Sequence, residues 1–126
     1  QFLLLNGKPI LMHTLEKFAQ CGSQPEIILV LSESMYSYWK ELCTNHHFKE
    51  PHQIAFGGNT RFQSVRNGIE FIKKEYSNIN LDKSKIGIHD GARPLVDIDL
   101  IDELYCTCSA EKPAVIPAVQ AQIQFA

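Results

Sequence analysis

What the chain lacks narrows its function first. No apolar run approaches the roughly 20 residues that a bilayer-spanning helix requires. The opening Gln1-Phe2-Leu3-Leu4-Leu5 is apolar. It has neither a basic flank nor a small-residue cleavage site, which argues against a secretory leader. No initiator Met stands at its head, so the sequence reads as incomplete there. An excess of one charge is also missing: the net charge is −2, which gives no electrostatic reason to expect nucleic acid or an anionic membrane as partner. Cysteine is sparse. Cys21, Cys43, Cys106 and Cys108 fit no zinc spacing, and Cys106-Thr107-Cys108 is one residue short of C-x-x-C. They read as free, mostly buried thiols in a reducing cytoplasm. His13, His46, His47 and His52 show no ligand spacing and read as surface or helix-face residues. There is no repeat, low-complexity tract or linker.

What is present suits an ordinary globular protein. Hydrophobic residues make up 44% and charged residues 21% of 126, enough for one domain over 1–126 with a modest core. Pro9 suits a first helical turn. Ile10, Leu11, Thr14, Leu15 and Phe18 follow at helical spacing, with Gly22 as a stop. Ile27 to Leu31 reads as a fully buried strand within Glu26 to Leu31. Ser34 caps a helix to about Cys43 that carries Tyr36, Tyr38 and Trp39, read as core or an interface patch. His52 to Phe56 is a second strand. Thr60 and Gln63 form a capping box for a helix to about Tyr76, with Phe62, Val65, Ile69 and Ile72 facing inward and Lys73-Lys74 solvated. Lys85 to His89 is a third strand, and Asp97 or Asp99 caps a helix to about Ala110. Ala114 to Val119 is a fourth strand, weakened by Pro117. Alternating strands and helices predict an α/β fold: a mainly parallel sheet with helices on both faces.

In such folds ligands bind beyond the carboxyl ends of the strands, where two loops stand out. Gly57-Gly58-Asn59-Thr60-Arg61-Phe62-Gln63-Ser64 joins a strand to a helix start. Paired glycines allow close approach and φ > 0, and the helix start offers unpaired N–H groups. Asn59, Arg61 and Ser64 add directional hydrogen bonds that could read the edge of a base. The same residues also make an ordinary capped turn with no ligand. The second loop is His89-Asp90-Gly91-Ala92-Arg93-Pro94. A carboxylate at the end of a buried strand is badly solvated unless paired or metal-bound. Mg²⁺ suits it where triphosphates are handled, and Arg93 is a good fork for phosphate or carboxylate. The alternative is a structural Asp90–Arg93 ion pair. His89 reads as orienting this loop through a hydrogen bond.

These two loops resemble the G-G-x-x-R-x-x-S-V and H-D-x-x-R-P segments of the 2-C-methyl-D-erythritol 4-phosphate cytidylyltransferases. A third segment, Gln1-Phe2-Leu3 then Gly7-Lys8-Pro9-Ile10-Leu11 and His13-Thr14, is similar to that family's opening. The resemblance covers residues 1 to about 119. It implies a Rossmann-like nucleotidyltransferase fold in a cytoplasmic homodimer, transferring CMP from CTP to a small alcohol phosphate, 2-C-methyl-D-erythritol 4-phosphate. It implies that Gly58, Asn59 and Ser64 lie against cytosine and Gly91 near the ribose. Asp90 would bind Mg²⁺ beside the α-phosphate, Arg93 would position the acceptor, and Arg61 and His89 would support the site. Asn59 stands where the family often has an acidic residue, and Gly91 where it often has Ala. A glycine-rich phosphate loop and a Lys are expected upstream of Gln1, so the chain alone is expected to be inactive. The tail from Val119 departs from the family pattern. Ribitol-5-phosphate cytidylyltransferases share the loops and are the alternative enzyme. A non-catalytic nucleotidyltransferase-like binding domain is the alternative of another class.

Overall fold

A computed structural model describes residues 1–119; the expected departure of the tail falls mostly outside them, from Gln120 onward. The chain opens on a short antiparallel hairpin, β1 (Leu4–Leu5) and β2 (Lys8–Pro9). Asn6 (φ 52°) and Gly7 (φ 78°) form its turn. Positive φ at both central residues suits the right-handed twist of a two-residue hairpin, and Asn-Gly is the usual pair for it. Helix α1 (Ile10–Gln20) follows directly, with Pro9 at its N-cap and Leu11, Met12, Thr14 and Leu15 buried. The Lys8 ammonium meets the Glu16 carboxylate at 2.6 Å and ties the hairpin to this helix.

Strand β3 (Ile28–Leu31) pairs in parallel with β4 (Gln53–Phe56), Leu29 opposite Ile54 and Leu31 opposite Phe56. A 3-10 turn (Glu33–Met35) and helix α2 (Tyr36–Asn45) lie between them. Ser34 sits inside that turn, and the helix begins one residue later than its cap reading implies. Strand β3 alternates rather than burying every residue: Leu29 and Leu31 join Leu11, Met12, Leu15, Trp39 and Leu42 in the core. Val30 faces the other way, toward α3 (Arg61–Glu75), where Gly68 brings the helix backbone close. Helices therefore cover both faces of the pair. Helix α4 (Ile98–Thr107) starts at Asp97, whose side chain accepts from the Asp99 N–H.

Trp39 is fully buried, and its indole N–H donates to His52 Nε2 at 3.0 Å. His52 is thus a core partner rather than a surface residue, while Tyr36 and Tyr38 stay largely exposed. The thiols are free as expected, but Cys106 is exposed rather than buried. Two expected strands do not form among the described residues: Lys85 to His89 and Ala114 to Val119 join no ladder. A strand exists through a neighbouring strand, and neither segment has one among the described residues; Ile86 and Ile88 are 45% and 58% exposed. Phe62, expected inward, is 75% exposed. It lies in the first turn of α3, ahead of the turn where Gly68 meets Val30.

Candidate functional site

The loop after β4 holds itself together. The Gly57 N–H donates to the Leu31 carbonyl at 2.7 Å and continues the parallel pairing one step past β4. The Gly58 N–H donates to Ser64 Oγ at 3.1 Å, and that hydroxyl lies 3.4 Å from the Gly58 carbonyl. Gln63 Oε1 accepts from the Asn59 and Thr60 N–H groups at 2.8 and 3.2 Å, and Thr60 Oγ1 accepts from the Gln63 N–H at 3.1 Å. This is the capping box expected from Thr60 and Gln63, doubled by the second amide. Asn67 closes the back of the turn by donating to the Phe56 carbonyl.

The glycines here serve close approach alone. Neither Gly57 nor Gly58 has positive φ, which corrects half of the reading of this turn. A Cβ on Gly57 would stand 2.7 Å from Ser64 Oγ, and one on Gly58 2.5 Å from Gln63 Cβ. The side chains of Asn59 and Arg61 are exposed and make no hydrogen bond to another described residue. Gln63 and Ser64 hold the loop; Arg61 makes none of its bonds. Gln63 was legible in the sequence only as a cap, because a capping box carries no mark of a ligand.

The second loop is built differently. Lys85 to His89 is exposed and unpaired, so Asp90 does not end a buried strand. The desolvation argument for a metal there loses its premise. Asp90 is half-buried in a tight turn: Oδ1 accepts from the Ala92 N–H at 3.1 Å, and its carbonyl accepts from the Arg93 N–H at 3.0 Å. Arg93 Nε lies 3.6 Å from Asp90 Oδ2, with both side chains substantially exposed. Such a pair contributes little to stability, and both side chains remain open to solvent. His89 donates through Nε2 to the Arg93 carbonyl at 2.9 Å and rests its ring on Phe18. Gly91 lies over α1: its carbonyl accepts from Thr14 Oγ1 at 2.8 Å, and a Cβ would stand 2.8 Å from Leu11 Cδ1. The sequence marks Thr14 as part of a helical face and of the opening segment, with no sign of this bond.

A divalent cation can be tested against this geometry. No group of three His, Cys, Asp or Glu side chains gathers among the described residues, so a cage made of protein ligands alone is not formed there. One half-exposed carboxylate beside a guanidinium does fit Mg²⁺ carried largely by triphosphate oxygens and water, the usual mode for that ion.

Residues 1–123 match the family model described as 2-C-methyl-D-erythritol 4-phosphate cytidylyltransferase. The enzyme of that name from Bacteroides thetaiotaomicron is 43% identical over 119 residues, covering 94% of this chain and 50% of the relative. That from Phocaeicola vulgatus is 44% identical with the same coverage. A bifunctional enzyme IspD/IspF from Rhizobium rhizogenes is 34% identical over 122 residues, or 28% of its length. The chain spans about half the length of the first two relatives.

Proposed function

We propose, for a chain that belongs to the 2-C-methyl-D-erythritol 4-phosphate cytidylyltransferase family, that the whole protein transfers CMP from CTP to 2-C-methyl-D-erythritol 4-phosphate and releases pyrophosphate. The family match over residues 1–123 carries this reading. The β3–β4 pair with helices on both faces is read as part of a Rossmann-like, mainly parallel sheet. A cytoplasmic homodimer belongs to the same proposal; no helix among the described residues is long and apolar enough to cross a membrane.

In the proposed reaction a phosphate oxygen of the acceptor attacks the α-phosphorus of CTP in line. The bond to the β-phosphate bridging oxygen breaks, and pyrophosphate leaves with the electron pair. No covalent enzyme intermediate is needed, so the protein's work is positioning and charge stabilisation. The loop Gly57 to Ser64 would hold cytosine, with the free amide of Asn59 and the Gly58 backbone at the base edge. Its self-bonding supports that role, since a fixed rim discriminates between bases better than a mobile one. Gly91 would run beside the ribose. The exposed guanidinium of Arg93 would take the acceptor phosphate, and His89, bonded to the Arg93 carbonyl, would keep the loop in shape. Asp90 would hold Mg²⁺, which when bound neutralises charge on the phosphate oxygens.

The test uses the full-length protein with CTP and Mg²⁺, following pyrophosphate release. Turnover is expected with 2-C-methyl-D-erythritol 4-phosphate and not with ribitol 5-phosphate; the reverse preference would overturn the acceptor. Asp90→Asn is expected to lower kcat about 100-fold or more. Unchanged turnover in that variant would overturn the role of Asp90.

A further inference from the structure

We infer that Thr14 is a positioning residue for the proposed transfer: its buried hydroxyl holds the Asp90–Gly91 loop on helix α1. Among the described residues, the loop from His89 to Pro94 otherwise makes hydrogen bonds only within itself. The Ala92 and Arg93 amides return to Asp90, and His89 returns to the Arg93 carbonyl. Among the described residues, the bond from Thr14 Oγ1 to the Gly91 carbonyl, 2.8 Å, is the one hydrogen bond that ties this loop to the rest of the chain.

Thr14 is a polar residue only 3% exposed, and a hydroxyl has one proton to give. The second acceptor within reach, the Ile10 carbonyl at 3.4 Å, is the weak back-bond common to threonine in helices. The shorter contact therefore takes the proton. A separate observation points the same way. Gly91 lies close over Leu11: a Cβ added to it would stand 2.8 Å from Leu11 Cδ1. Leu11 and Thr14 lie three residues apart on one helical face, so one contact sets the height of the loop and the other its register. Lys85 to His89 joins no ladder, so no strand pairing fixes Asp90 instead. The placement of Asp90 and Arg93 then depends on α1, 77 residues away in sequence.

This inference rests on the reading that Asp90 serves the metal and the α-phosphate, and the experiment separates the two. In the full-length protein, Thr14→Val removes the donor and keeps the shape. Expected are a roughly 10-fold fall in kcat and a similar rise in the Mg²⁺ concentration for half-maximal rate. KM for CTP should rise less than the Mg²⁺ requirement, because the base loop is held by its own bonds and only the proposed ribose and metal contacts run through Gly91 and Asp90. In the ligand-free protein, hydrogen exchange at the Ala92 and Arg93 amides should rise about 10-fold. Thr14→Ser, which keeps the hydroxyl, should restore all of these. Thr14→Ala is the second probe if the valine variant does not fold. Unchanged exchange in a folded Thr14→Val or Thr14→Ala protein would overturn the bond. Faster exchange with wild-type kcat and Mg²⁺ dependence would overturn the positioning role. If Asp90→Asn left turnover intact, the metal reading would fall, and exchange would still judge the bond by itself.

Discussion

At Gly58 an added Cβ would stand 2.5 Å from Gln63 Cβ, and at Gly91 it would stand 2.8 Å from Leu11 Cδ1. The distances are similar but the consequences are not. Gln63 Cβ is one bond from a helix backbone and cannot withdraw without breaking the capping box. Leu11 Cδ1 is the far end of a side chain with other rotamers. Gly58→Ala is therefore expected to cost about 1–3 kcal/mol of stability and to raise KM for CTP. Gly91→Ala should cost less than about 1 kcal/mol and leave KM for CTP near its wild-type value. Denaturant midpoints and initial rates on the two full-length variants check the contrast. Equal losses would mean that the base loop yields more easily than its bonds suggest.

Among the elements, α3 is the one whose start the sequence states most directly. Thr60 and Gln63 bond each other's backbone within four residues, so nothing distant can override the pattern. Thr60→Ala should cost about 1 kcal/mol in denaturant unfolding. Faster hydrogen exchange at Gln63 should accompany it, since Thr60 holds that amide. The helices α1, α2 and α4 and the strands β3 and β4 were legible because apolar patterning is a local property. What was not legible is non-local. Lys85 to His89 has strand residues and no partner among the described residues. Phe62 fits the apolar period, yet the contact that orients α3 is Gly68 against Val30, which a search for apolar residues passes over. The hairpin at Asn6-Gly7 carries a local signal in its Asn-Gly pair, both residues having positive φ. At the site, both loops were found from glycines and charges. Their fastening, by Gln63 in one and Thr14 in the other, required the folded contacts.

Across the whole molecule, Asp102 joins the end of α1 to α4. Its carboxylate accepts from the Ser23 hydroxyl at 2.6 Å, the Ser23 N–H at 2.8 Å and the Gly22 N–H at 2.9 Å. The Ser23 hydroxyl first, then the two backbone amides, hold its pKa below the ordinary 3.8. A carboxylate depressed in the folded state stabilises it above the unfolded pKa, and that contribution fades as pH falls through the folded value. Asp102→Asn should therefore lower stability at neutral pH and flatten its decline on acidification below about pH 4. Urea midpoints at several pH values check this; parallel curves for the two proteins would exclude the clasp as a source of acid sensitivity. Because α1 also carries Thr14, a loosened clasp should be felt at Asp90 as well.

The self-bonded turn from Gly57 to Ser64 has one more consequence, and it concerns entropy. Fixing the backbone costs roughly 1–2 kcal/mol per residue. In this loop Gln63 and Ser64 already hold the backbone N–H groups of Gly58, Asn59 and Thr60. If the proposed role of this loop holds, a bound nucleotide would not have to freeze the backbone it touches, and little of its interaction energy would be offset by ordering. The heat-capacity change on binding should then reflect the surface buried by the base alone, without the larger signature of a segment folding around it.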